Sequence, residues 1–225
     1  MQYEISGGNL PVLKLLLEQG EAVQCESGAM SWMDNEIQMQ TSAGGFGSAL
    51  GRLVTKESAF LTTYRANRAG EIAFSSKFPG SICAIPVSPG NGVILQKGSF
   101  LAAVGNVESS VHVQEKLSRG LFGGEGFLMR KYTGNGIVFA EIDGSAHEYE
   151  IPAGDCKIID TGYLATMSES CRLEIQRIKG AANVLFGGEG LFNTVVYGPG
   201  KVILQSMPIG ATAMQLYAYM PHSSN

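Results

Sequence analysis

Hydrophobic and polar residues alternate in short runs along most of this chain. Leu13, Leu15 and Leu17 are interleaved with Lys14, Leu16 and Glu18, and three later runs read EIQMQ to Gln40, VHVQ to Gln114 and LEIQ to Gln176. A period of two is that of a strand with one buried face. The stretch PVLKLLLEQG also carries helix-like ends, with Pro11 at its start and Gly20 at its close. The matching positions before Gly90 and Gly154 read IPVSP and EIPA, and proline is excluded from a helix interior, so the stretch is assigned to a strand. Asn91–Gly92, Gly134–Gly136, Asp143–Gly144 and Gly198–Gly200 are expected to form hairpin turns. Short strands separated by turn glycines indicate an all-β sandwich or barrel.

Three signals then recur in one order. A glycine is followed eight positions later by a second one, in the pairs Gly20/Gly28, Gly90/Gly98 and Gly154/Gly162. The strands ending in Gln40, Gln114 and Gln176 follow, and these glutamines are read as closing each unit's ladder. A double-glycine motif comes third: Gly44, Gly45 and Gly47, then Gly123, Gly124 and Gly126, then Gly187, Gly188 and Gly190. The expected architecture is therefore three β-sandwich or barrel repeats in a single 1–225 domain, with boundaries near 1–43 with 44–114, 115–176 and 177–225. Three such units are able to close around a pseudo-threefold axis, with an open row as the alternative. Met1–Leu17 is expected to complete the ring by pairing near Lys201–Ala218, and SALGRLVTKESA is read as an insertion with room for a short helix.

The hexapeptide LFGGEG occurs at Leu121–Gly126 and again at Leu185–Gly190. A phosphate loop needs a following helix and, for a P-loop, a Gly-Lys-Ser/Thr ending. Here strand-like runs follow, and Glu125 and Glu189 would repel an anion. The motif is read as architectural.

Composition narrows the functional classes. Charged residues are 16% of the 225, against about 25% in an ordinary domain, and this points to surface covered by a partner or by other copies. A homo-oligomer is expected, with a trimer favoured and a twofold dimer as its rival; the protein partner is not identified. The net charge is −4 without a Lys/Arg run, which argues against nucleic acid. Cys25, Cys83, Cys156 and Cys171 are far apart, lack CxxC spacing and are read as reduced, buried thiols. The first residues lack a basic leader region, and no stretch approaches the 18 or so apolar residues of a transmembrane segment.

Candidate chemistry is sparse. His112, His147 and His222 share no metal-ligand spacing, Glu148, Glu150 and Asp155 read as a solvated hairpin edge, and no GxSxG elbow is present. Trp32 is assigned to core or interface packing. No catalytic, metal or cofactor residue is assigned, and no cofactor is expected. The residues singled out are the structural glycines Gly28, Gly98, Gly162, Gly44, Gly45, Gly123, Gly124, Gly187 and Gly188.

The opening YEISGGNLPVLKLLLEQGEAVQCESGAMSWM, the segment GGFGSALGRLVTKESAFLTTY, and the pair GLFGGEGFLMRKYTGNG and VLFGGEGLFNTVVYGPG resemble the AIM24 family, formerly a domain of unknown function. The resemblance covers nearly the whole chain. It implies a TRAP-like β fold, after the tryptophan-binding attenuation protein, with three units in one chain. Bacterial members are largely uncharacterised, and the fungal relative is a mitochondrial protein tied to inner-membrane organisation. The reading is a non-enzymatic, cytoplasmic scaffold or interaction protein, with a small-molecule-binding module between repeats as the alternative.

Overall fold

The computed structural model describes residues 1–40, 61–115, 127–177 and 192–220. The strands are β1 (Gln2–Ser6), β2 (Val12–Leu17), β3 (Ala22–Glu26), β4 (Met30–Met33), β5 (Ile37–Gln40), β6 (Leu61–Ala66), β7 (Gly70–Ser75), β8 (Gly80–Val87) and β9 (Val93–Gln96). They continue with β10 (Phe100–Glu115), β11 (Phe127–Asp143), β12 (Ala146–Ile151), β13 (Cys156–Asp160), β14 (Leu164–Ser168), β15 (Arg172–Arg177), β16 (Phe192–Tyr197) and β17 (Gly200–Gln205). One helix, α1 (Ile209–Ala218), follows β17. The chain is thus nearly all β, arranged in open sheets.

All named strand pairs are antiparallel. β7 lies between β2 and β4, and β17 lies between β12 and β14. β6 lies between β3 and β5, and β16 between β13 and β15. The long strand β11 pairs with β10 from Phe127 to Ala140, while its first half also pairs with β9 and its second half with β8. Two further ladders, β3 to β10 and β9 to β14, join the β6 and β17 groups to β10 and β11 in one sheet, while the β7 and β16 groups form two separate sheets.

Alternation decides which faces are covered. In β2, Leu13, Leu15 and Leu17 are fully buried, whereas Leu16 is exposed. They pack with Ile72, Phe74, Leu101 and Phe139 in one core cluster. A second cluster joins Val93, Leu95, Tyr132, Val138 and Ile203, and a third joins Ile94, Phe127, Met129, Met167 and Val202. Each such side chain contributes about 1.5–3 kcal/mol on leaving water. β9 feeds two clusters from its two faces, so it reads as the unbroken apolar run Val93–Ile94–Leu95.

Several expectations are corrected. Gly198–Gly200 is not a hairpin turn, since it joins β16 to β17, which lie in different sheets. Gly134–Gly136 is not a turn: β11 runs straight through it, with Gly136 opposite Gly105, Asn135 opposite Asn106 and Gly134 opposite Val107. The glycines are needed for close approach, because a Cβ on Gly134 would sit 2.1 Å from the Asn106 carbonyl oxygen and one on Gly136 2.1 Å from that of Val104. Gly105 and Gly134 also hold φ of +89° and +110°. The N-terminus does not pair near Lys201–Ala218; β1 folds back as a hairpin on β2, which leaves β17 between β12 and β14. The chain after β17 is partly helical, with Pro208 at the N-cap, where its missing N–H removes no intrahelical bond. The insertion after GGFG and all three GGxG motifs lie outside the described residues.

Gly134→Ala is expected to lower stability by about 3 kcal/mol or more, since it combines a strained φ with a backbone clash. Gly8→Ala, at φ +60° with nothing near its Cβ, is expected to cost only about 1 kcal/mol. Urea denaturation of the two variants checks the contrast.

Candidate functional site

The ends of β3, β9 and β13 converge on one groove of about 600 Å³. Its walls include Glu26, Gln96 and Asp160, the last residues of those three strands, together with Lys77, Ser99, Glu141, Asp143 and Gln205; the start of α1 closes one side. Short 3-10 turns, Lys97–Ser99 and Thr161–Tyr163, bring the chain past the rim. The second turn is pinned from below, where the buried Thr161 hydroxyl donates to the Phe192 carbonyl at 2.7 Å and lies 3.1 Å from the Thr194 hydroxyl.

A chain of hydrogen bonds hangs the helix on this frame. Gln205 Nε2 donates to the Gly162 carbonyl at 2.8 Å, and Gln205 Oε1 accepts the Asp143 backbone N–H at 3.2 Å. The Asp143 carboxylate then accepts the Ile209 N–H at 2.8 Å, which satisfies a free donor in the first turn of α1. Glu141, 5% exposed, accepts the Lys77 backbone N–H at 2.8 Å and the Ser76 hydroxyl at 3.1 Å through one oxygen. Lys77 also pairs its ammonium with Glu26. Lys77 is half exposed, so that ion pair is worth little.

Burial pushes the Glu141 carboxyl above its ordinary value, even though the Lys77 N–H and ammonium and the Ser76 hydroxyl oppose the shift. Burial does the same to Asp143, against the Ile209 N–H. Two carboxylates two residues apart on one strand therefore face a site that disfavours their charge. Two buried polar atoms lack a partner among the described residues, Gln96 Oε1 and Arg130 Nε. Gln96 belongs to the groove wall, where a donor from water or a ligand would satisfy it. Among the described residues, no group of three His, Cys, Asp or Glu comes together to hold a metal ion.

The residues singled out in the sequence lie mostly elsewhere. Gly98 and Gly162 sit in the two 3-10 turns, and both border the groove. Gly28 lies in the turn between β3 and β4 and differs from them in its φ of +83°. The earlier member of each pair is the more uniform: Gly20, Gly90 and Gly154 have φ of +85°, +77° and +89°. Gly44, Gly45, Gly123, Gly124, Gly187 and Gly188 fall outside the described residues. Gln40, Gln114 and Gln176 stand on ladders, opposite Thr63, Leu128 and Asn193. His112 and His147 are exposed on β10 and β12, and Glu148 and Glu150 form surface ion pairs with Lys201. The four cysteines are free; Cys25 and Cys171 are buried, but Cys156 is exposed, since β13 turns it outward. Burial, with Glu26 beside it, pushes the Cys25 thiol up to about 12, which keeps it unreactive.

Sequence reading missed Glu141 and Asp143. The available signal was a pair of carboxylates at alternate positions closing the apolar run IVFAEID, where charge is out of place unless bonded.

The fold and the groove define a class: an all-β protein of open sheets with a groove whose carboxylates, Glu141 and Asp143, accept the chain's own backbone N–H groups. Residues 3–207 match the family described as Mitochondrial biogenesis AIM24, and the chain belongs to that family. It is 29% identical to an uncharacterized protein of Streptococcus pyogenes serotype M6, over 96% of this chain and 89% of the relative. It is similar in fold to the crystal structure of a Streptococcus pyogenes protein, with a TM-score of 0.80 at 24% identity, covering 97% of this chain and 99% of that one. No helix among the described residues is long and apolar enough to cross a membrane.

The pH dependence of stability follows from the groove. Because Glu141 has a raised pKa in the folded state, the fold binds its proton more tightly than the unfolded chain does. That contribution is complete below the ordinary value of 4.5 and is lost as pH rises through the raised value. Asp143 acts in the same direction. Glu141→Gln is therefore expected to gain stability relative to the native chain at pH 7.5 and to lose that advantage near pH 4. Urea midpoints at the two pH values measure the difference.

Proposed function

We propose that this protein is a non-enzymatic scaffold built of three similar β units, and that it works by strand-edge contacts rather than by chemistry in the groove. The three-unit reading draws on the recurrence of one pairing scheme: β2–β7, β8–β11 and β12–β17 on one side, and β3–β6, β9–β11 and β13–β16 on the other. It also draws on a bulge at one place in each unit, between Met30 and Trp32, Phe100 and Ala102, and Leu164 and Thr166. A TRAP-like arrangement around a pseudo-threefold axis fits this recurrence.

The observation that carries the scaffold reading is the state of the outer strands. Among the described residues, β4 and β13 stand at the ends of their sheets and expose Trp32, Met33 and Ile158 by 46%, 37% and 66%. Large apolar side chains on an unpaired edge suit a partner and are a hazard without one. The groove carboxylates, by contrast, accept bonds from Lys77, Ser76 and Ile209. A homo-oligomeric, cytoplasmic protein whose thiols stay reduced is the setting this implies.

A second reading rests on Gln96. Its buried, partnerless Oε1 in the groove wall would accept from a small molecule bearing a hydroxyl or amine. Sedimentation velocity at micromolar concentration, run beside a thermal-shift screen of polar metabolites, separates the two. The scaffold reading expects species above 23.9 kDa and no metabolite shift. A compound that raises the melting temperature of the native chain, but not of Gln96→Leu, would establish the second reading instead.

A further inference from the structure

We propose that the groove at the ends of β3, β9 and β13 binds a primary amine with an apolar body, and that Glu141 and Asp143 hold its ammonium group. The inference rests on the second reading of the groove and deepens it. That reading admits a hydroxyl or an amine, and the charge of the walls selects the amine.

The charges do not balance. Glu26, Glu141, Asp143 and Asp160 line the groove, against Lys77 and Lys97. The Lys77 ammonium pairs with Glu26. Among the described residues, neither Glu141 nor Asp143 makes an ion pair, although they stand two residues apart on β11. Glu141 is almost fully buried and Asp143 half-buried. Besides burial, the charge of Asp143 itself helps to raise the Glu141 carboxyl. A cation between the two relieves both, whereas a neutral hydroxyl relieves neither and an anion is repelled.

Acidic side chains alone do not make a site; the acceptors left over do. Both bonds to Glu141, from the Lys77 N–H and the Ser76 hydroxyl, fall on Oε1. The Ile209 N–H falls on Asp143 Oδ2. Among the described residues, Glu141 Oε2 and Asp143 Oδ1 therefore accept nothing, and the buried Gln96 Oε1 of the same wall has no partner. All of these are acceptors. An ammonium has three donors and no acceptor, and its charge strengthens each bond it gives to a carboxylate. A bare metal ion fits less well, because no group of three His, Cys, Asp or Glu comes together among the described residues.

The flanks of the pair define the rest of the ligand. Phe78 follows Lys77, whose N–H is on Glu141, and Ile209 gives its own N–H to Asp143. Both line the groove, as do Leu128 and Tyr163. A body leaving the ammonium would run along these apolar groups. At about 600 Å³, the groove has room for an aromatic ring on a short alkyl arm.

The test titrates the native chain calorimetrically at pH 7.5 with phenethylamine and, separately, with phenethyl alcohol, which has the same body without the charge. The amine is expected to bind at least about tenfold more tightly. Glu141→Gln keeps the shape and, by the stability argument above, folds at this pH; it should cut the preference for the amine about tenfold. In the native chain the preference should also fall between pH 7.5 and pH 5, as the raised carboxyls take up protons while the ammonium keeps its own to about pH 10. Glu26, Asp160, Lys77, Lys97 and Tyr163 also face the groove, and the smaller pH dependence expected of Glu141→Gln isolates the part due to Glu141. A lysine side chain carries the same ammonium, so a third titration uses Nα-acetyl-lysine methylamide, which should bind more weakly than phenethylamine; tighter binding would overturn the free amine in favour of a protein's lysine. Equal affinity for amine and alcohol would overturn the proposal and leave the second reading standing. So would a preference that survives both Glu141→Gln and Asp143→Asn. If neither probe binds, the proposal falls, and the metabolite screen with Gln96→Leu then decides the second reading separately.

Discussion

The ladder between β10 and β11 is the contact on which the rest of the molecule depends. It runs from Phe100 opposite Ala140 to Glu115 opposite Phe127, and the largest of the three sheets is assembled around it. β3 is held on the far edge of β10, and β8 and β9 share the far edge of β11. Two strands of this length stay in register only if their backbones approach where they cross, and that requirement puts glycine at 105, 134 and 136. A side chain there would separate the strands and, with them, the first core cluster from the second.

The groove shows how polar groups are kept inside such a fold. Strand ends cannot all be capped by turns, so Glu141, Asp143 and Gln205 take up backbone donors and acceptors that the ladders leave over. This is costly for the carboxylates, since burial raises their pKa. It also couples the helix to the sheets, because α1 begins on the Asp143 carboxylate. The helix that begins there carries exposed apolar residues, among them Met214 and Leu216.

Much of the strand content could be read from alternation, and β2 is the clearest case: Leu13, Leu15 and Leu17 mark its buried face. Family membership was legible in the quoted motifs. The reading of Gly134–Gly136 failed because Gly-Asn-Gly has the same letters whether it reverses a chain or lets another strand approach; only the partner glycine at 105 distinguishes the two. The β1 hairpin was missed because Gly7 and Gly8 precede β2 without an alternating run long enough to stand out. The groove was illegible for a different reason. Its walls come from strand ends distant in sequence, and although Glu141 interrupts an apolar run, the Ser76 and Lys77 groups that satisfy it lie 65 and 64 residues earlier in the chain.

Gly20, Gly90 and Gly154 share a left-handed backbone with nothing within reach of a Cβ. The chain needs mirror-image torsion at these three corners but no empty space. A residue of the opposite chirality would adopt that torsion without strain and would deny the unfolded chain its freedom there. D-alanine at each corner would therefore be worth about 0.4–1 kcal/mol to the fold. At those corners the glycines record the handedness of the genetic code's amino acids, a constraint distinct from the crowding that fixes glycine at 134 and 136.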